Sequence, residues 1–111
     1  MKYEIERTSQ FKRDYKLALK RGLDISKLME VIQLLADGEE LPEKYKDHFL
    51  KGNYAGYREC HIQPDWLLIY KVSEDILILS LFRTGTHSEL FNKSQMSNLD
   101  FMCPVIESPY Y

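Results

Sequence analysis

Long apolar runs are missing from this sequence, and their absence excludes proteins that cross a membrane by a helix. No stretch approaches the roughly 18 apolar residues that a transmembrane helix requires. The residues at the start mix charged and apolar side chains, so they lack the apolar core of a signal peptide. We therefore expect a cytoplasmic protein.

Cysteine is also scarce. Cys60 and Cys103 are too few for a disulfide framework and too far apart for a Cys-x-x-Cys metal pair. A chain of 111 residues has room for one modest core. Its 44% hydrophobic and 29% charged residues are typical of a globular domain and exclude wholesale disorder.

An excess of positive charge, which would support nucleic-acid binding directly, is missing as well. Fifteen Lys and Arg oppose 17 Asp and Glu, and the net charge is −2. The acidic surplus comes from Asp100 and Glu107 near the end of the chain. Five basic residues cluster in one early segment, where a solvated helix face is the simplest interpretation: Lys12, Arg13, Lys16, Lys20 and Arg21.

The first third of the chain predicts a strand and two helices. Residues 2–7 alternate between apolar and charged side chains, as in a half-buried strand. Thr8 or Ser9 can cap a first helix and Asp24 a second, and a glycine follows each apolar stripe. We expect these helices to form an antiparallel hairpin, with a loop over residues 39–47.

The remainder predicts an antiparallel β-meander, and hence an α+β fold. Ile76-Leu77-Ile78-Leu79 is apolar on both faces, so we expect this strand to be central or covered on both sides. Because a helix hairpin covers one face only, the other requires the tail, another chain or a ligand. Four aromatic or β-branched runs form the meander: Phe49–Leu50, Tyr57–Ile62, Trp66–Val72 and Ile76–Phe82.

A short helix and a tail complete the chain. Thr86 and Glu89 have the spacing of a capping box, which predicts a helix from His87. We divide the chain into a domain at residues 1–93 and a tail of unknown role at residues 94–111. The tail either frays or docks apolar side chains on the sheet, namely Phe101, Val105 and Ile106.

Histidine, the side chain best suited to proton transfer near neutral pH, occurs only at His48, His61 and His87. Asp65 follows His61 in a predicted turn, and Arg83 ends the last predicted strand. Strand ends and turns are where a scaffold presents side chains to a ligand. We expect these five residues to converge on one cleft.

Two kinds of chemistry suit such a set. A zinc site would use the histidines and Asp65, but their spacing fits no standard metal motif and Arg83 would disfavour a cation. Metal-free cleavage of RNA needs a base near the 2′-OH, an acid for the leaving 5′-oxygen and a cation for the phosphate. We favour RNA cleavage without a metal or cofactor, and take Trp66, Phe91 and Lys51 as candidate substrate-binding residues.

Several blocks, in this order, resemble the RelE/ParE superfamily of bacterial toxins, and within it the YafQ-type mRNA interferases. The resemblance covers roughly residues 3–91. Its most specific pieces are Tyr45-Lys46-Asp47-His48, Gly56-Tyr57-Arg58-Glu59-Cys60-His61, Pro64-Asp65-Trp66 and Arg83-Thr84-Gly85-Thr86-His87 through Phe91.

The resemblance implies a ribosome-dependent cut in mRNA. It implies catalytic roles for His48, His61, Asp65, Arg83 and His87, with His87 as the general acid and Arg83 on the phosphate. The base is left open among His48, His61 and Asp65. The family also implies a cognate antitoxin, expected to be of the ribbon-helix-helix type, and binding of operator DNA by the toxin–antitoxin complex.

Two other functions remain open from the sequence. One is a non-enzymatic toxin of the same fold that binds a protein such as DNA gyrase; the other is a catalytically silenced partner in repression. These toxins are commonly basic whereas this chain is not, so we expect its hold on the ribosome to be weaker or confined to a patch such as Lys12–Arg21. The tail has no counterpart in the family, and we expect that its deletion raises activity if it covers the site.

Overall fold

A five-stranded sheet carries two helices on one face in the computed structural model. The structure describes residues 2–91, and at positions 87 and 91 it describes the backbone alone. The strands are β1 (Glu4–Arg7), β2 (His48–Phe49), β3 (Arg58–Gln63), β4 (Trp66–Ser73) and β5 (Ile78–Gly85). The helices are α1 (Ser9–Lys20), α2 (Ile25–Ala36) and α3 (His87–Phe91). The predicted α+β class is confirmed.

The predicted caps set the start of the first two helices. Thr8 Oγ1 accepts a hydrogen bond from Phe11 N at 2.9 Å, and Asp24 Oδ1 accepts one from Ser26 N at 3.1 Å. Gly22 and Gly38 follow the helices with φ of 77° and 78°, a left-handed conformation that ends a helix and favours glycine.

The strand order is β1-β5-β4-β3-β2. The pairs from β2 through β5 are antiparallel, which confirms the predicted meander. β1 joins the far side of β5 in parallel, from Glu4 opposite Ile78 to Arg7 opposite Leu81. β5 therefore has a neighbour on each side, and its predicted central position is confirmed.

The predicted start of this central strand at Ile76 is wrong. Ile76 and Leu77 belong to the turn between β4 and β5 and are 65% and 47% exposed. Leu77 has a φ of 54°, which does not fit the extended ladder of a sheet. The strand instead begins at Ile78 and runs to Gly85, beyond the predicted end at Phe82.

Apolar side chains are buried on both faces of the sheet. The larger cluster packs α1 and α2 against the strands, and a second cluster on the opposite face contains Leu50, Leu67, Ile69 and Leu90. Leu90 of α3 and Tyr54 of the loop after β2 belong to this second cluster, so these two elements supply part of the cover that we expected from the tail, another chain or a ligand. The tail, with Phe101, Val105 and Ile106, lies outside the described residues.

The capping box of α3 is present as predicted. Thr86 Oγ1 accepts from Glu89 N at 3.1 Å, and Glu89 Oε1 accepts in return from Thr86 N at 2.9 Å. Arg21, just after α1, adds an ion pair to the other carboxylate oxygen of Glu89 at 2.6 Å. Within residues 2–91, each helix is too short or too polar to span a membrane.

Candidate active site

Strand register places three of the candidate residues on one face of the sheet. Residues that are directly opposite each other on neighbouring strands point to the same side. His48, His61 and Arg83 therefore leave the sheet on the face opposite α1 and α2, which we call the site face. The register defines two rows across it: His48, Glu59, Ile69 and Arg83, and next to them His61, Leu67 and Gly85.

A buried carboxylate joins the two histidines of this face. Glu59 Oε1 lies 3.2 Å from His48 Nε2 and 3.7 Å from His61 Nε2, and the Glu59 side chain is 0% exposed. The two imidazole rings have centroids 6.4 Å apart. A carboxylate removed from water is stabilised only by close donors or cations, and the two imidazoles lie where they can serve as such groups for Glu59.

The orientation of His48 follows from a backbone contact. Its Nδ1 lies 2.7 Å from the carbonyl oxygen of Lys46, and because a carbonyl only accepts, Nδ1 carries the hydrogen. This directs Nε2 toward Glu59. Lys46 has a φ of 52°, a left-handed turn that brings its carbonyl back toward the ring.

A second polar network fixes the segment before His48. Arg58 donates from Nη2 and Nε to the two carboxylate oxygens of Asp47, at 2.7 and 3.3 Å. The Tyr70 hydroxyl donates to Asp47 as well and accepts from Arg58 Nε at 3.2 Å. Burial and then the Asp47 carboxylate raise the pKa of Tyr70 above its usual range, so the hydroxyl keeps its proton.

Arg83 lies at the edge of the site face and reaches α1. Its Nε and Nη2 donate to Asp14 at 3.1 Å each. Arg83 and the exposed Asp65 line a cavity of about 680 Å³ between α1 and the β3–β4 turn. His61 lines a separate depression of about 330 Å³, which shares Gln63 and Pro64 with the cavity. The structure thus places His48 and His61 beside one carboxylate, and Asp65 and Arg83 on the lining of a neighbouring cavity.

The candidate substrate-binding residues occupy different environments. Trp66 is 2% exposed, and its Nε1 donates to Thr84 Oγ1 at 2.9 Å, so its ring offers no open surface on which a base can stack. Lys51 is exposed and precedes a 3-10 turn at Gly52–Tyr54. For His87 and Phe91 the structure describes the backbone, which forms the first and last positions of α3. This helix begins two residues after Gly85, the β5 residue in the row of His61.

Within residues 2–91, no group of three or more His, Cys, Asp or Glu side chains is arranged to hold a metal ion. His48, Glu59 and His61 bring two imidazoles and one carboxylate together, which are side-chain types used as general acids and bases.

Comparison with known proteins decides the family. A family model described as the bacterial toxin of type II toxin–antitoxin system, YafQ, matches residues 3–92. The chain belongs to this family. It is similar to the mRNA interferase toxin YafQ of Escherichia coli strain K12, with 46% identity over 89 residues that cover 79% of this chain and 95% of that protein.

Solved structures of YafQ share the fold. The crystal structure of YafQ from E. coli strain BL21(DE3) matches with a TM-score of 0.77 and 44% identity, covering 81% of this chain and 99% of that one. The crystal structure of the E. coli DinJ–YafQ complex matches with a TM-score of 0.76 and 45% identity, again covering 81% and 99%.

Two residues of this YafQ-family site were not predicted from the sequence, Glu59 and Asp14. Glu59 had an available signal, because residues two apart on a strand share a face and Glu59 stands two before His61. By the same alternation Cys60 points the other way, and it lies in the core under the helices. Burial raises the pKa of the Cys60 thiol well above its usual range, so Cys60 is an inert core residue.

Proposed function

We propose that this chain is an mRNA interferase that cuts messages on the ribosome by metal-free acid–base chemistry through the 2′-OH. The observation that supports it most is the shared face: His48 and His61 flank one buried carboxylate, Glu59. Arg83 leaves the same face in the row of Glu59, two strands away, and its guanidinium lies at the edge of that face beside Asp14. A YafQ-family fold and an E. coli relative named as an mRNA interferase give the substrate class.

The proposed reaction is a transesterification. A base takes the proton of the 2′-OH, the 2′-oxygen bonds to phosphorus, and the bond to the 5′-oxygen breaks. An acid returns a proton to that leaving oxygen, so the products are a 2′,3′-cyclic phosphate and a 5′-hydroxyl. Both the attack and the departure require stabilisation of negative charge on the phosphate oxygens.

The side chains divide among these roles. The histidine pair supplies the base, because its two imidazoles share a carboxylate that stabilises the proton taken up. Arg83 stabilises the charged phosphate. His87, at the start of α3, serves as the acid, in the role that the family resemblance gives it. Asp65, exposed in the β3–β4 turn, lines the same cavity as Arg83, and we assign it to the border of the substrate path.

Two partners follow from the proposal. The exposed basic side chains of α1 give a local positive surface despite the near-neutral chain, and ribosomal RNA is a suitable polyanion for it. The E. coli relative forms a complex with DinJ. We therefore propose an antitoxin of corresponding role here, expected to be of the ribbon-helix-helix type, with operator DNA bound only by the complex.

The test is cleavage of a defined message on stalled, purified ribosomes. The cut is first mapped with unmodified RNA, and the message is then made with a single 2′-deoxynucleotide on the 5′ side of the cut. We expect the substitution to abolish cleavage there, and a zinc chelator that spares magnesium to leave the unmodified cut unchanged. Omission of ribosomes should reduce cleavage by about a hundredfold or more, since positioning of the message is lost.

Each part of the proposed function can be contradicted by a separate result. Cutting of the 2′-deoxy message would exclude the 2′-OH as nucleophile, and loss of activity with the zinc chelator would show a metal requirement. Equal cutting of naked RNA would exclude ribosome dependence. Growth arrest without any RNA cleavage would favour a non-enzymatic toxin that acts on a protein target.

A further inference from the structure

Asp14 is a nearly buried carboxylate on a helix whose other charged side chains are basic and exposed. It is 8% exposed and accepts four hydrogen bonds: from Gln10 Nε2 at 3.1 Å, from Arg83 Nε and Nη2 at 3.1 Å each, and from Thr84 N at 3.2 Å. A carboxylate has about four acceptor positions, so Asp14 is fully satisfied at this site. Such a group is typical of a position where geometry is fixed.

The pairing uses only one edge of the Arg83 guanidinium. Nε and Nη2 both point to Asp14, which occupies two of the five N–H donors. The remaining donors are on Nη1 and on the outer side of Nη2. These two nitrogens form the end of the guanidinium fork, which suits two oxygens of one phosphate.

The place of Asp14 in the fold holds the Arg83 guanidinium in one orientation. β1 pairs with β5 only as far as Leu81, so β5 projects beyond its parallel neighbour. Helix α1 takes over along that edge: Thr8 Oγ1 donates to Phe82 O at 2.7 Å, and Asp14 accepts from Thr84 N. Arg83 stands between these two anchors. Its backbone and its side chain are therefore both held by α1.

We propose that Asp14 is a positioning residue of the cleavage reaction: it fixes the inner edge of the Arg83 guanidinium so that the outer edge meets the scissile phosphate. The inference rests on the proposed function, because it assigns Asp14 a part only through Arg83. Asp14 itself does not touch the message.

Asp14→Asn is the direct test. The amide keeps the shape of the carboxylate but turns one acceptor oxygen into an NH₂ donor that faces the donors of Arg83. On ribosome-held message we expect the single-turnover cleavage rate to fall by about tenfold to a hundredfold, because a guanidinium displaced by about 1 Å no longer matches the phosphate. The apparent KM should change by less than about threefold, since the contact matters most in the transition state.

A double-mutant cycle separates positioning from a merely structural role. If Asp14 acts through Arg83, then Asp14→Asn costs less than about twofold in an Arg83→Gln background, because the group it positions is gone. A structural contribution through Thr84 N would persist in that background, and the two losses would multiply. If Asp14→Asn does not fold, Asp14→Glu replaces it in the cycle, because it keeps the buried charge and displaces it by one methylene.

The matched control is Asp24→Asn, at the exposed cap of α2, where the amide oxygen still accepts from Ser26 N. It should leave the cleavage rate unchanged. Multiplicative losses at Asp14 and Arg83, or a normal rate for Asp14→Asn, overturn the positioning role while leaving the proposed function intact. A normal rate for Arg83→Gln alone overturns the assignment of Arg83 in the proposed function.

Discussion

Replacement of Glu59 by glutamine should separate activity from stability. Glu59 is fully buried, and its Oε1 lies within 3.7 Å of a nitrogen of each histidine in the pair. Glutamine has the same shape and can form a hydrogen bond to one imidazole. It has no negative charge with which to stabilise the proton that the base takes up.

The expected loss of cleavage rate in Glu59→Gln follows from the change in charge. A hydrogen bond to a charged group contributes about 1.5–3 kcal/mol and one between neutral groups about 0.5–1.5 kcal/mol. The difference, about 1–1.5 kcal/mol in the transition state, corresponds to roughly tenfold in rate. The free energy of unfolding should rise or stay the same. Burying a carboxylate costs several kcal/mol of desolvation before its partners compensate it, and an uncharged amide removes that cost.

The measurements are single-turnover cleavage on stalled ribosomes and urea denaturation of the purified chain. Glu6→Gln is the control, because Glu6 is exposed on β1, an edge strand that β5 and β4 separate from β3. The reasoning is refuted if Glu59→Gln cleaves at the wild-type rate. It is refuted equally if the variant loses activity only in proportion to a loss of folded protein.

Three further predictions concern stability and reactivity. Thr84→Val leaves the Trp66 Nε1–H without its acceptor, so the free energy of unfolding in urea should fall by about 2–3 kcal/mol. Although burial opposes them, the Thr86 N–H and the Arg21 guanidinium lower the pKa of Glu89. The charged carboxylate therefore stabilises the fold above pH 4.5, its ordinary pKa, and this stabilisation is lost as the pH falls and Glu89 takes up a proton. In Glu89→Gln the free energy of unfolding should consequently fall less steeply as the pH is lowered. Because burial raises the pKa of the Cys60 thiol, iodoacetamide should label it about a hundredfold or more slowly in the folded chain than in urea.

Each of these has a control and a contrary result. Ser80→Ala, on the same strand as Thr84, should cost less than about 0.5 kcal/mol, and an equal cost would discount the buried hydrogen bond. An equally steep fall with pH in Glu89→Gln would discount its ion pair with Arg21. The labelling is done in a Cys103→Ala background, and equal rates in folded and unfolded chain would show that Cys60 is accessible.

Local signals in the sequence predicted the parts of the fold that local interactions determine. Thr8, Asp24 and the Thr86–Glu89 box cap helices because their side chains bond to backbone groups two or three residues away. The meander followed from short strands joined by turns. The error at Ile76 and Leu77 has a local cause as well, since apolar character predicted a strand where the backbone turns.

Contacts distant in sequence gave no such signal. Asp14 and Arg83 are 69 positions apart, and each alone resembles an ordinary solvated charge. The parallel pairing of β1 with β5 is unpredictable for the same reason, because the alternation of residues 2–7 indicates a buried side but not a partner. The candidate site was therefore predicted as residue types and a family pattern. Its division into a histidine pair and an arginine anchored on α1 required the structure.

The most direct test of RNA cleavage is the mapping of transcript 5′ ends after expression in a bacterial host. The chain and its His87→Ala variant are expressed at equal levels from the same promoter. We predict new 5′ ends within coding sequences, in the reading frame, for the wild-type chain and their loss in the variant together with growth arrest. Growth arrest that persists in His87→Ala without new 5′ ends would contradict RNA cleavage as the function of this chain.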